Sequence, residues 1–180
     1  MSLTPLEPGA APSGYRRDRR RADVLTAAAT TAGVALLGLP LGLVWSVLAP
    51  RARVVVSAAG ADLADPNTKA FIAADGTFLL LTVAAGVLCA VLTLLLGGRR
   101  HGVATAIGLT AGGLVGSYVA WRVGHRIGLA EFRHALHGPP GTSASLTPSL
   151  RAKGVLVGWA LAGVLTVLAL AVQARWWEDL

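Results

Sequence analysis

GLTAGGLVGSYVAWRVGHRIGL, residues 108–129, has glycine or alanine at every fourth position. Counted from Ala104, the series runs Gly108, Gly112, Gly116, Ala120, Gly124 and Gly128, and it ends among Arg122, Arg126 and Arg133. Four residues advance a helix by slightly more than one turn, so these positions form one inclined ridge on its surface. A ridge of small residues lets a second backbone approach closely. That matters most in lipid, where apolar tails remove the hydrophobic drive between helices and close packing takes over.

The rest of the chain has the composition this reading requires. Its 180 residues are 54% hydrophobic and only 14% charged. The apolar residues stand in long blocks, where a soluble domain interleaves polar side chains. Four blocks, about 24–49, 78–97, 102–121 and 154–174, reach the roughly 20 residues that cross a hydrocarbon core as helix. None holds Asp, Glu, Lys, Arg or His in its interior. Helix is required because unpaired backbone groups are too costly in hydrocarbon. The expected fold class is an all-α membrane protein: four transmembrane helices packed through small-residue faces, with one short outer loop able to contain a strand. Residues 1–23 read as a disordered basic cytoplasmic tail, 24–174 as the membrane domain and 175–180 as a short cytoplasmic tail.

Other spans carry the same small-residue device: Gly38 and Gly42 in the first, Gly86 and Ala90 in the second, Gly154, Gly158 and Ala162 in the fourth. Each rung of a four-residue ladder drifts about 40° around a straight helix. Gly108, Gly112 and Gly116 are therefore expected to meet one neighbour, and Ala120, Gly124 and Gly128 another. A compact bundle uses all these stripes internally; the alternative leaves the ladder exposed to a second copy or a partner.

The first block follows a dense basic run, Arg16, Arg17, Arg19, Arg20 and Arg21. At about 25 residues it exceeds the 7–15 of a signal-peptide core, so it reads as an uncleaved span. Pro40, between Gly38 and Gly42, removes one backbone donor and is expected to kink it. The flanks of the two sides hold eight Lys and Arg each. The concentration of arginines before the first span places both termini in the cytoplasm of a multi-pass plasma-membrane protein.

Of the outer segments, the first opens with RARVVV (51–56), a β-branched run suited to a short strand. Asp75 is expected to cap the N-terminus of the second helix or to contact an ion at the membrane mouth. The third helix is expected to continue past Trp121 toward His137, with Leu129, Phe132 and Leu136 on one face. Arg122, Arg126 and Arg133 then reach lipid headgroups or a partner. His134 and His137 are three apart, but with His125 and Glu131 they match no established zinc spacing, so no metal is expected. Thr147 and Pro148 read as N-cap and first residue of the fourth helix. Trp176 and Trp177 read as interfacial anchors. Cys89, the single cysteine, reads as a small hydrophobe in lipid.

A net charge of +7 raises nucleic acid as a partner, yet no DNA- or RNA-binding pattern accompanies it. No nucleophile stands with a base and an orienting group, and there is no phosphate-binding loop, so neither an enzyme nor a cofactor is expected. The uncharged spans argue against proton-coupled transport through an intramembrane carboxylate. An accessory or assembly subunit acting through helix packing and outer loops remains; the alternative is a small homo-oligomeric channel or transporter. The expected partners are the lipid bilayer and either a second copy or another envelope membrane protein.

Four stretches carry a resemblance: LVWSVLAP (43–50), AFIAADGTF (70–78), GGLVG (112–116) and AWRVG (120–124). Together they resemble an actinobacterial family of four-span integral membrane proteins of unknown function, over roughly residues 36–174. The most specific piece is 71–78. The resemblance implies a plasma-membrane location in a high-GC bacterium and no activity.

Overall fold

The computed structural model describes residues 13–51, 53–57, 60–63, 69–96, 102–136, 143–145 and 150–178. Four helices account for most of them: α1 (Ser13–Leu48), α2 (Ala70–Leu95), α3 (Gly102–Leu136) and α4 (Gly158–Glu178). A 3-10 turn, Lys153–Val157, leads into α4. All four are long and apolar enough to cross a membrane, over Arg17–Leu48, Ala70–Leu95, Gly102–Ile127 and Lys153–Ala174.

Helix starts differ most from expectation. α1 begins at Ser13, so the arginine run is helical, not part of a disordered tail; residues 1–12 lie outside the described residues. Arginine is a good helix former, and once the span is nucleated each added residue gains a hydrogen bond. α2 begins at Ala70 instead of near Phe78. Ala74 and Phe78 are buried on one face of this extension, and their burial carries the helix outward. α4 is preceded by the 3-10 turn, whose leading residue Ala152 makes no side-chain cap; Thr147 and Pro148 lie outside the described residues. Pro40 stands inside α1 with helix on both sides.

The helices form two parallel pairs. α1 packs chiefly on α3 and α2 chiefly on α4, while α3 and α4 join the pairs. Gly108 lies against Ala27 and Thr30 and Gly124 against Gly42 and Trp45, so α1 and α3 run the same way. Gly158 meets Leu79 and Gly86 meets Trp159 and Ala162, so α2 and α4 also run together. Gly113 meets Ala160 while Gly116 meets Trp159, an antiparallel register between the pairs.

The two long connections meet at one end of the bundle. β1 (Arg53–Ser57) pairs antiparallel with β2 (Gly60–Leu63), and its other edge pairs antiparallel with β3 (Ser143–Ser145). Val54 stands opposite both Leu63 and Ala144. This sheet end is opposite the tail end, where α1 begins.

Several glycines leave no room for a side chain. A Cβ on Gly38 would collide with the Gly116 backbone, and one on Gly42 would stand 2.5 Å from the Ala120 carbonyl oxygen. From α3, a Cβ on Gly108 would lie 2.7 Å from Thr30 Cβ, and one on Gly112 2.8 Å from Val34 Cβ. The Thr31 hydroxyl donates across this seam to the Gly108 carbonyl at 3.3 Å. α1 thus accompanies α3 from Gly108 to Gly124, about 24 Å of helix. This corrects the expectation of two successive partners. The 40° drift applies to straight axes, and a partner that winds with the inclined ridge stays in contact.

Gly113, outside the ladder, turns to α4, with Ala160 Cα 3.0 Å from its would-be Cβ, and Gly116 in the ladder faces both Val34 of α1 and Trp159 of α4. Gly154 has no neighbour within 4 Å, which corrects its placement among the packing residues. It lies exposed in the 3-10 turn, ahead of the face that begins at Gly158. A Cβ on Gly158 itself would meet Leu79 Cδ1 at 2.8 Å. The surroundings of Gly128 lie outside the described residues.

Candidate functional site

The first turns of α2 set Phe71, Ala74, Asp75 and Phe78 at i, i+3, i+4 and i+7, one helical face. Each finds a partner from another element. Trp45 of α1 is fully buried; its indole N–H donates to the Ala74 carbonyl at 3.2 Å. Its ring meets Phe78 edge-on, with centroids 5.1 Å apart and planes at 77°. A Cβ on Gly124 would collide with that same ring, so α1, α2 and α3 converge on one tryptophan. Ala49, Ala120 and Leu150 complete the cluster.

Asp75 does not cap its own helix, which began five residues earlier. Its carboxylate accepts the backbone N–H groups of Arg151 at 3.2 Å and Ala152 at 3.0 Å. These amides precede the 3-10 turn, where no local side chain serves them, so a carboxylate from α2 does. The Arg151 guanidinium lies 3.9 Å over the Phe71 ring centroid. α2 therefore holds the start of α4 by charge-assisted hydrogen bonds and a cation–π contact. Asp75→Ala is expected to lower stability by about 1–2 kcal/mol, with Asp75→Asn costing less. The thermal midpoint of the purified protein in detergent checks both. Arg51 closes the end of α1 in a similar way, donating from Nη2 to the Ser46 carbonyl at 2.8 Å.

Further along α3, the Arg122 guanidinium lies 6.0 Å from both the Tyr118 and Trp121 rings. Arg122 and Arg126 are exposed near the end of the apolar span at Ile127. The side chains of Arg133 and His134, and all of His137, lie outside the described residues. Among the described residues no three His, Cys, Asp or Glu gather as a metal site.

The largest fully buried side chains along the bundle are Trp45, Phe78, Thr82, Thr105, Ser117 and Trp159. No Asp, Glu, Lys, Arg or His is buried among the described residues. Ser117 Oγ and Trp159 Nε1 are buried without a hydrogen-bond partner there. Between α1 and α2, toward the tail end, a cleft of about 580 Å³ opens, with Thr26, Thr30 and Leu37 on one wall and Leu92 and Thr93 on the other.

The sequence alone points to a contact for Asp75 but to none for Trp45, Phe71, Arg151 or Gly113. Two signals were there to be used. An indole N–H inside an apolar block needs a partner in lipid. Phe71 and Phe78 are seven apart, which puts them on one face if helix is allowed to start before the apolar block.

Four apolar helices in two parallel pairs, joined at one end by a small sheet, define a multi-pass helical membrane protein. The chain matches no protein-family model, curated protein or solved structure.

Proposed function

We propose that the protein is an accessory or assembly subunit of the plasma membrane, held together through its small-residue faces and acting through its sheet-end loops. Both termini are then cytoplasmic and the sheet end faces outward, the orientation that the arginine run before the first span favours. The observation that carries this reading is the fixing of the sheet end. Trp45, Asp75, Arg51 and Arg151 all act there to hold the end of α1, the start of α2 and the lead-in to α4 in one arrangement, as a docking platform requires. The packed centre, with no buried Asp, Glu, Lys, Arg or His among the described residues, supports it further.

The test is to tag the C-terminus, extract the protein from its native membrane in mild detergent, and measure the mass and components of the complex. A second envelope membrane protein in fixed ratio is the expected result. A defined oligomer of this chain alone overturns the accessory reading and supports the alternative, a small homo-oligomeric channel or transporter. Solute flux through reconstituted vesicles would then decide it.

A further inference from the structure

At the tail end, α1 and the start of α3 leave a groove of about 630 Å³ between them. Arg19, Arg20 and Asp23 stand at its polar mouth, and Ala28, Val103 and Ile107 form its apolar wall. We propose that this groove holds one anionic phospholipid, with its phosphate on Arg19 and Arg20 and an acyl chain along the wall.

Depth is the first argument. The uncharged stretch of α1 begins at Val24, and Arg20 and Arg19 precede it by four and five residues, about 6 and 7.5 Å along the helix. The headgroup zone on each side of the hydrocarbon is about 5–8 Å deep. Because the arginine run is helical, both guanidiniums leave a rigid element at the level where phosphates lie. Charge is the second. Two guanidiniums face one carboxylate at the mouth, and the planar guanidinium fork suits two phosphate oxygens at once. The third is the join of the two surfaces. Free phosphate would satisfy the arginines and leave the apolar wall bare, whereas a phospholipid satisfies both.

The flank of the same helix supplies a control. Arg17 and Arg21 border a neighbouring hollow, which shares Arg20 and Val24 with the groove, but do not themselves line the groove. Removing either pair changes the net charge equally. Arg17, Arg19, Arg20, Arg21 and Ala28 are all exposed, so the substitutions leave the core packing alone.

The experiment is native mass spectrometry of the purified full chain, titrated with phosphatidylglycerol and phosphatidylcholine of equal chain length. Wild type is expected to retain one phosphatidylglycerol in preference to phosphatidylcholine. Each groove arginine near the surface contributes about fivefold, so R19Q/R20Q lowers that preference about 25-fold, while R17Q/R21Q keeps most of it. A28W, which fills the wall and keeps every arginine, loses the lipid. Equal losses in the two arginine pairs would mean diffuse attraction and would overturn the site. Unchanged retention in A28W, or displacement of the lipid by equimolar inorganic phosphate, would overturn the lipid in favour of a simple anion.

The proposed cytoplasmic position of the termini would make this an inner-leaflet lipid, and only that assignment rests on it. Detergent solution has no leaflets, so the lipid test is blind to orientation. Thiol labelling of Ser13→Cys in a Cys89→Ala background, from either side of intact membranes, tests orientation alone. Either reading can therefore fail without the other.

Discussion

Substituting leucine for Gly38 is expected to part α1 from α3 and to cost about 3 kcal/mol, read as a large fall in thermal midpoint in detergent. The reason lies in what a Cβ would meet. At Gly38 it runs into the backbone of Gly116, and a carbonyl in a helix cannot turn aside as the end of a side chain can. The neighbouring rung gives no relief, because Gly42 has the Ala120 carbonyl at 2.5 Å from the same kind of added atom. Any shift of α1 that spares one rung is opposed at the next. Gly33 provides the contrast on the same helix, since nothing lies within 4 Å of its would-be Cβ. Gly33→Ala is expected to be neutral or to stabilise by about 0.5–1 kcal/mol, because alanine is the better helix former. If the two substitutions behave alike, the close approach at Gly38 does not hold the pair together.

Trp45→Ala is expected to have the other large effect, about 4 kcal/mol, in the range of large aromatic truncations in packed interiors. The ring fills the junction of three helices, and alanine would leave a cavity against Phe78, Gly124 and Ala49 that none of the three can close alone. Trp45→Phe separates packing from hydrogen bonding. It keeps a ring against Phe78 and gives up the N–H donated to Ala74, for a loss of about 1 kcal/mol. Equal losses from alanine and phenylalanine would mean that the hydrogen bond, and not the packing, sustains the junction. Thermal unfolding of the three proteins in one detergent measures the difference.

Much of the architecture is legible in the sequence, and its limits are physical. Uncharged blocks of about 20 residues announce membrane helices, and the structure places one helix over each. Their starts are not legible, because the arginine run before Val24 and the polar Asp75-Gly76-Thr77 before Phe78 interrupt the apolar pattern without ending the helix. The extension of α2 to Ala70 depends on Ala74 and Phe78 finding Trp45, and the hydropathy of 70–77 carries no trace of that. Asp75 illustrates the boundary well. An aspartate before an apolar block signals a cap, and its carboxylate does bond free amides, yet they are those of Arg151 and Ala152. Gly154 marks the opposite case, where regular spacing in the sequence meets empty space because the backbone there is a 3-10 turn.

By itself, then, the sequence determined that four helices form and roughly where each crosses, since hydrocarbon leaves the backbone no other way to satisfy its polar groups. Which helix receives each small residue, and what Trp45 and Asp75 hold, only the tertiary structure decided. Those contacts join positions 29 to 77 residues apart. A periodicity records which face of a helix is small, but the partner for that face is chosen by the shape of every other helix in the bundle.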